Sequence, residues 1–200
     1  MNTPNKISLV RILLIPVIIF FFFATFIPNG INYFVASGLF ILAAYTDALD
    51  GHIARKYNLV TTLGKFLDSI ADKLLATVTI ILIICSNIIS PNYLGSIILI
   101  IIVSRDLIID MLRQISASKN VIIAADWFGK IKTIFIDIAL PLLLVAIGLN
   151  VIIPNSMAFN IVYYIGLSLL VISTILSLLS GINYIVKNRK LLISENTSQN

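Results

Sequence analysis

Apolar and charged positions along this chain are sorted into long blocks rather than short alternations. Three stretches, Ile12 to Thr46, Leu74 to Ser104 and Ile138 to Val186, contain no Asp, Glu, Lys, Arg or His. Near the middle of each stands a group of helix-breaking residues: Pro28-Asn29-Gly30, Ser90-Pro91-Asn92, and Pro154-Asn155 with Asn150 shortly before. Proline removes a backbone donor and clashes with the preceding turn, and Gly and Asn accept the turn conformations needed there. Each block therefore reads as two apolar helices folded back on each other. The pattern predicts an all-α integral membrane protein with six transmembrane helices arranged as three hairpins. A span needs about 20 residues to cross the hydrocarbon. Several uncharged stretches are shorter once divided, so their helices are expected to run on into the charged segments beside them. Residues 1–190 form one six-helix domain in this reading, with a polar tail at 191–200.

Composition points to lipid as the solvent. Of the 200 residues 59% are hydrophobic and 12% charged, whereas a soluble domain is about half apolar and about a quarter charged. All 14 Lys and Arg residues lie outside the charge-free blocks, and none falls at a hairpin tip. The positive-inside rule then places both termini and the two charged connections in the cytoplasm, in a multi-pass plasma-membrane protein. The net charge of +5 fits that orientation and contact with anionic head groups rather than with nucleic acid. Lys6 and Arg11 before an apolar run look like the start of a signal peptide. Ile12 to Ile27 is long for such a segment, however, and no small-x-small cleavage site follows, so a retained helix is expected. The single cysteine, Cys85, sits in an apolar run and reads as a packing residue. Trp127 reads as an interfacial aromatic and His52 as solvent-facing.

The acidic residues change the picture from membrane protein to candidate enzyme. Eight of the nine fall between Asp47 and Asp137. Asp47 and Asp50 are three apart, Asp68 and Asp72 four apart, so on helices each pair shares a face. The pairs flank one predicted cytoplasmic connection, so two neighbouring helices point four carboxylates into one cavity. An ionised side chain near the bilayer centre costs about 2.5–3.5 kcal/mol on insertion scales, and clustered carboxylates repel. Cations relieve both problems. All-oxygen ligands suit hard divalent ions, Mg²⁺ or Mn²⁺, and two such ions clamp a phosphoryl group and activate an attacking oxygen. Gly51 and Gly64 clear space beside the acids for a bulky nucleotide, and Arg55 offers a two-pronged donor for phosphate oxygens. Intramembrane aspartates also serve as interhelical glue or line a cation path, so a transporter stands as the alternative class. Its acids would reach both membrane faces, whereas these cluster on one.

The run Asp47-Ala48-Leu49-Asp50-Gly51-His52-Ile53-Ala54-Arg55, eight residues, then Gly64-Lys65-Phe66-Leu67-Asp68-Ser69-Ile70-Ala71-Asp72 resembles the signature of the CDP-alcohol phosphatidyltransferases. All eight specified positions match. The resemblance implies a six-helix membrane fold, usually homodimeric, with a metal site facing the cytoplasm. It implies that Asp47, Asp50 and Asp68 bind metal, that Asp72 also faces the metals and is the general base, and that CMP leaves. Asp50, Gly51, Ala54, Arg55 and Gly64 would contact the CDP-lipid.

Two further segments resemble the phosphatidylglycerophosphate synthase branch of that family. Pro4-Asn5-Lys6-Ile7-Ser8-Leu9-Val10-Arg11 is similar to its opening, with Ser8 where Thr is usual; Asn5 and Ser8 would join the CDP-lipid site. Ser104 to Thr133 is also similar, with Arg105-Asp106 where Arg-Glu is commoner, which leaves the role of Asp106 open. The donor implied is CDP-diacylglycerol and the acceptor sn-glycerol 3-phosphate. The residues agree in part, because a phosphate-bearing acceptor needs cations near the acids. Arg113, Lys130, Arg105 and Lys132, in that order, are the candidates. All four also satisfy the positive-inside rule without any such role. Transferases for cardiolipin, inositol-phosphate or serine acceptors are the alternatives within the family. The last two predicted helices are generic in sequence, and Asp137 has no assigned partner.

Overall fold

The computed structural model describes residues 3–56, 62–118 and 127–193, with side chains at 8–46, 64, 66–91, 93–116 and 127–187. Among the described residues there are six α-helices and no strand: α1 (Thr3–Phe22), α2 (Ile31–Lys56), α3 (Thr62–Cys85), α4 (Asn92–Ser118), α5 (Trp127–Ile152) and α6 (Met157–Ile193).

The breaks fall at the residues expected to make them. Between α1 and α2, Pro28–Gly30 forms a single 3₁₀ turn in which Asn29 and Gly30 adopt φ of 59° and 66°. Gly30 is required for space as well as conformation: a Cβ there would lie 3.0 Å from the Gly148 carbonyl oxygen and 3.1 Å from Val151 Cβ. Asn87 and Asn155 take the same left-handed region at the other two tips. Polar side chains close the helix ends. Asn32 Nδ2 donates to the Phe22 carbonyl at the end of α1, at 3.0 Å. Ser156 Oγ accepts from the Phe159 amide at 3.1 Å, the N-cap bond of α6.

The charged segments are helical, as the short apolar stretches required. α2 runs through Asp47 and Asp50 to Lys56, α3 starts at Thr62 ahead of Asp68, and α4 continues past Ser104 to Ser118. α6 runs past Lys187 to Ile193, into the segment read as a tail. Residues 57–61, 119–126 and 194–200, which include the cytoplasmic connections of the sequence reading and most of that tail, lie outside the described residues. Among the described residues, two segments, Trp127–Ile152 and Met157–Lys187, are long and apolar enough to cross a membrane. In α2, α3 and α4 a charged stretch occupies part of the helix and shortens the apolar part.

α5 is the hub of the bundle. It packs along α6 and also contacts α2 and α3, while α1 lies against α2 and α3, and α4 against α3 and α6. Ala139, Leu140, Leu143, Leu144 and Ala146 of α5 are fully buried, with Phe40 of α2, Ile83 of α3 and Leu170 of α6 in the same core. Ser37 Oγ donates to the Pro141 carbonyl at 3.0 Å, tying α2 to α5. The outer surface is equally apolar. Leu13, Phe20, Phe26, Ile100, Tyr164 and Ile182 are each more than half exposed. A water-soluble monomer rarely exposes apolar surface on this scale, so the chain has the surface of a membrane protein.

Candidate functional site

The charged halves of α3, α4 and α5 meet at one end of the bundle. Asp68 and Asp72 lie one turn apart on α3. Arg11, on α1, is 1% exposed, and its Nη1 donates to Asp68 Oδ1 at 3.1 Å. An Arg buried this deeply is tolerable only with a partner, and this ion pair also joins α1 to α3. Ser8, one turn before Arg11, is buried as well.

Asp72 opens onto a cavity of about 220 Å³. Its walls are Lys73, Ala76 and Thr77 of α3, Ile102, Arg105, Asp106, Ile109, Asp110 and Arg113 of α4, Gly129, Lys130, Lys132, Thr133, Ile136 and Asp137 of α5, and Tyr184 of α6. All four cations proposed from the sequence, Arg105, Arg113, Lys130 and Lys132, thus line one space with Asp72. They are not equivalent. Lys132 is 4% exposed, and its Nζ donates to Asp106 Oδ1 at 2.6 Å and to Oδ2 at 2.8 Å. Arg105 Nη1 donates to the same Oδ1 at 3.0 Å, and its Nη2 donates to Ser180 Oγ on α6. Arg113 and Lys130 have no carboxylate partner among the described side chains; Arg113 lies over the Tyr184 ring, 5.9 Å from its centroid. Lys73 is held by Asp110, an ion pair between α3 and α4, and donates to Ser69 Oγ at 3.3 Å.

Asp47, Asp50, Gly51, Ala54 and Arg55 lie on α2, which touches α3, and Asn5 lies on α1; their side chains, like that of His52, are outside the described residues. Gly64 sits half-buried in the first turn of α3. Among the described side chains no three carboxylates, imidazoles or thiols converge. Asp68 and Asp72 are the described half of the expected quartet. Their donor set fits a hard divalent ion: both are carboxylates, on one helix face, and only Oδ1 of Asp68 is engaged by Arg11.

Several residues of this region were not singled out by sequence reasoning. Arg11 stands out in the sequence only as part of the opening motif, and the role of Asp106 is open there. Ser180, Gly181 and Tyr184 carry nothing in the sequence that sets them apart from the rest of α6. The link between Arg11 and Asp68 spans 57 positions, and no local spacing signals it.

A helical bundle with an apolar outer surface and a polar cavity where carboxylates face cations suits a membrane protein that handles charged ligands. The chain belongs to the CDP-alcohol phosphatidyltransferase family, whose model matches residues 1–182. Among its relatives is the CDP-diacylglycerol–glycerol-3-phosphate 3-phosphatidyltransferase of Bacillus subtilis (strain 168), 34% identical over 207 residues that cover 98% of this chain and 99% of the relative. The proteins of that name from Rickettsia typhi (strain Wilmington) and Shigella flexneri serotype 5b (strain 8401) are 36% and 31% identical, over 92% and 97% of this chain and 94% and 98% of their own lengths.

The Arg11–Asp68 pair makes a direct prediction. Arg11→Met keeps the apolar stem but removes the guanidinium, and should lower stability by about 1–3 kcal/mol, the usual worth of a bond to a charged group. Arg11→Lys should recover part of the loss. Thermal unfolding in detergent measures both, and an unchanged midpoint in Arg11→Met would remove the pair from the account.

Proposed function

We propose that this chain transfers the phosphatidyl group of CDP-diacylglycerol to sn-glycerol 3-phosphate, giving phosphatidylglycerol phosphate and CMP in phospholipid biosynthesis. The observation that carries the reading is the shared cavity of Asp72 with Arg113 and Lys130, two cations with no carboxylate partner among the described side chains. An anionic acceptor makes use of them; a neutral alcohol does not. At about 220 Å³ the cavity is small beside the roughly 300–1,000 Å³ of sites for drug-sized ligands, which suits a compact polar acceptor rather than the lipid donor. The names of the relatives agree.

The reading gives each of these groups a role in the reaction. Asp72 takes the proton of the primary hydroxyl of glycerol 3-phosphate. The oxygen attacks the β-phosphorus of the CDP-lipid, a new P–O bond forms, and the bond to the CMP oxygen breaks. Hydroxyl and phosphate stand at opposite ends of the acceptor. Arg113 and Lys130 therefore act at a distance from the carboxylates, gripping the phosphate and aligning the hydroxyl. Asp47, Asp50, Asp68 and Asp72 would hold two divalent cations, Mg²⁺ or Mn²⁺, which supply charge neutralisation at the diphosphate when bound. Asp50, Gly51, Ala54, Arg55 and Gly64, with Asn5 and Ser8, form the CDP-lipid side of the site. The protein in this reading is a six-span, three-hairpin homodimer of the plasma membrane, with both termini and the site facing the cytoplasm.

Two predictions test these proposals. Arg113→Gln and Lys130→Gln should each raise KM for glycerol 3-phosphate about tenfold or more, the equivalent of a lost charge-assisted bond, with a smaller change for CDP-diacylglycerol. Asp72→Asn should lower turnover at least about a hundredfold while CDP-lipid binding persists; Asp47→Asn, Asp50→Asn and Asp68→Asn should abolish CMP release and weaken metal binding. Wild-type kinetics in both cation variants would move the acceptor site elsewhere, and normal turnover in any aspartate variant would remove that residue from the mechanism.

For orientation, Asn29→Cys, Asn92→Cys and Asn155→Cys in a Cys85→Ala background should react with an impermeant maleimide in intact cells, and Asn58→Cys should not. External labelling of Asn58→Cys would reverse the orientation.

A further inference from the structure

Asp106, in the cavity wall, serves two cations at once. It accepts from Lys132 through both oxygens and from Arg105 through Oδ1. Arg105 is fixed at its other end by the Ser180 hydroxyl of α6. Three helices therefore converge on one carboxylate and one hydroxyl. The surroundings are shaped around this arrangement. A Cβ at Gly129 would lie 2.9 Å from Arg105 Nη2, and one at Gly181 would lie 3.2 Å from Arg105 Cγ.

Knitting helices together does not require such a network. Replacing buried ion pairs by well-packed apolar side chains is often neutral or stabilising. What charge provides here is position. Lys132 and Asp72 line the same cavity. Without a nearer carboxylate, the Lys132 ammonium has Asp72 as its natural partner, and Arg105 has no fixed direction. With Asp106 in place, both cations are held in the wall with an excess of one positive charge, and Asp72 is left to the acceptor hydroxyl.

We propose that Asp106 is a positioning residue of the acceptor site, holding Lys132 and Arg105 as a fixed cationic wall beside the acceptor phosphate, with Ser180 completing the orientation of Arg105. The proposal rests on the reading that glycerol 3-phosphate occupies this cavity. Asp106 touches no reacting atom and acts through its two partners.

The test is a double-mutant cycle on the full-length enzyme in detergent, with CMP release measured against both substrates. Asp106→Asn and Lys132→Met should each raise KM for glycerol 3-phosphate about tenfold, because a charge-assisted alignment is lost. KM for CDP-diacylglycerol should stay within about twofold in the same variants. The double variant should be no worse than about twofold beyond either single one, since both remove one unit. Asp106→Glu, which keeps the charge, should restore most of the affinity. Ser180→Ala leaves every charge in place and covers the case in which Asp106→Asn does not fold; it should raise KM for glycerol 3-phosphate about threefold, the scale of one hydrogen bond. Additive effects in the cycle, equal losses for both substrates, or an unchanged KM in Ser180→Ala would overturn the proposal. A wild-type enzyme without glycerol 3-phosphate-dependent CMP release would instead sink the acceptor reading, and the proposal with it.

Discussion

Charge buried in an apolar bundle has to be paired, and the pairing decides which groups are left for chemistry. Removing an ion from water costs several kcal/mol even after relaxation. Arg11 and Lys132 are 1% and 4% exposed, and each meets a carboxylate, Asp68 and Asp106. Each pair bridges two helices, α1 to α3 and α4 to α5, and Lys73 with Asp110 bridges α3 to α4. The same bonds that make these charges tolerable thus fix the helices around the cavity. With those partners assigned, Asp72, Arg113 and Lys130 are the cavity groups that the proposed function uses to meet a substrate.

The location of the cavity follows from the apolar lengths of the helices. α2, α3 and α4 are each apolar over one part and charged over the other, and their charged parts gather at one end of the bundle. That position suits the proposed reaction, whose substrates come from different solvents. CDP-diacylglycerol has acyl chains that stay in lipid, while glycerol 3-phosphate comes from water. In the proposed orientation, a site at the membrane boundary would admit both without carrying the acceptor through the hydrocarbon. Phosphoryl transfer leaves little covalent work for the protein, so positioning and charge complementarity supply most of the catalysis.

Much of the architecture was legible because proline, asparagine and glycine act locally. Pro28-Asn29-Gly30, Ser90-Pro91-Asn92 and Pro154-Asn155 mark the three breaks; Asn29 and Asn155 adopt positive φ there, while at the second break that conformation falls on Asn87, just before the motif. The continuation of α2, α3 and α4 into charged sequence was legible from span length alone. The four basic residues were legible as a group from their place at facing helix ends. Their division into two held by Asp106 and two with no carboxylate partner among the described side chains was not, because it depends on which rotamers reach which carboxylate. Ser180, Gly181 and Tyr184 were hidden for another reason. In a helix rich in Ser and Gly, a hydroxyl that orients Arg105 looks the same as one that only permits close packing. Arg11 was hidden by the distance along the chain to Asp68.

The proposed reaction joins a CDP-activated lipid to a phosphate-bearing alcohol. The most direct measurement is CMP release by the purified protein with CDP-diacylglycerol and Mg²⁺ or Mn²⁺, compared across glycerol 3-phosphate, inositol phosphate, serine and phosphatidylglycerol. Release should require the divalent ion and be fastest with glycerol 3-phosphate. Release that is equally fast with serine, or absent with every acceptor, would contradict that reaction.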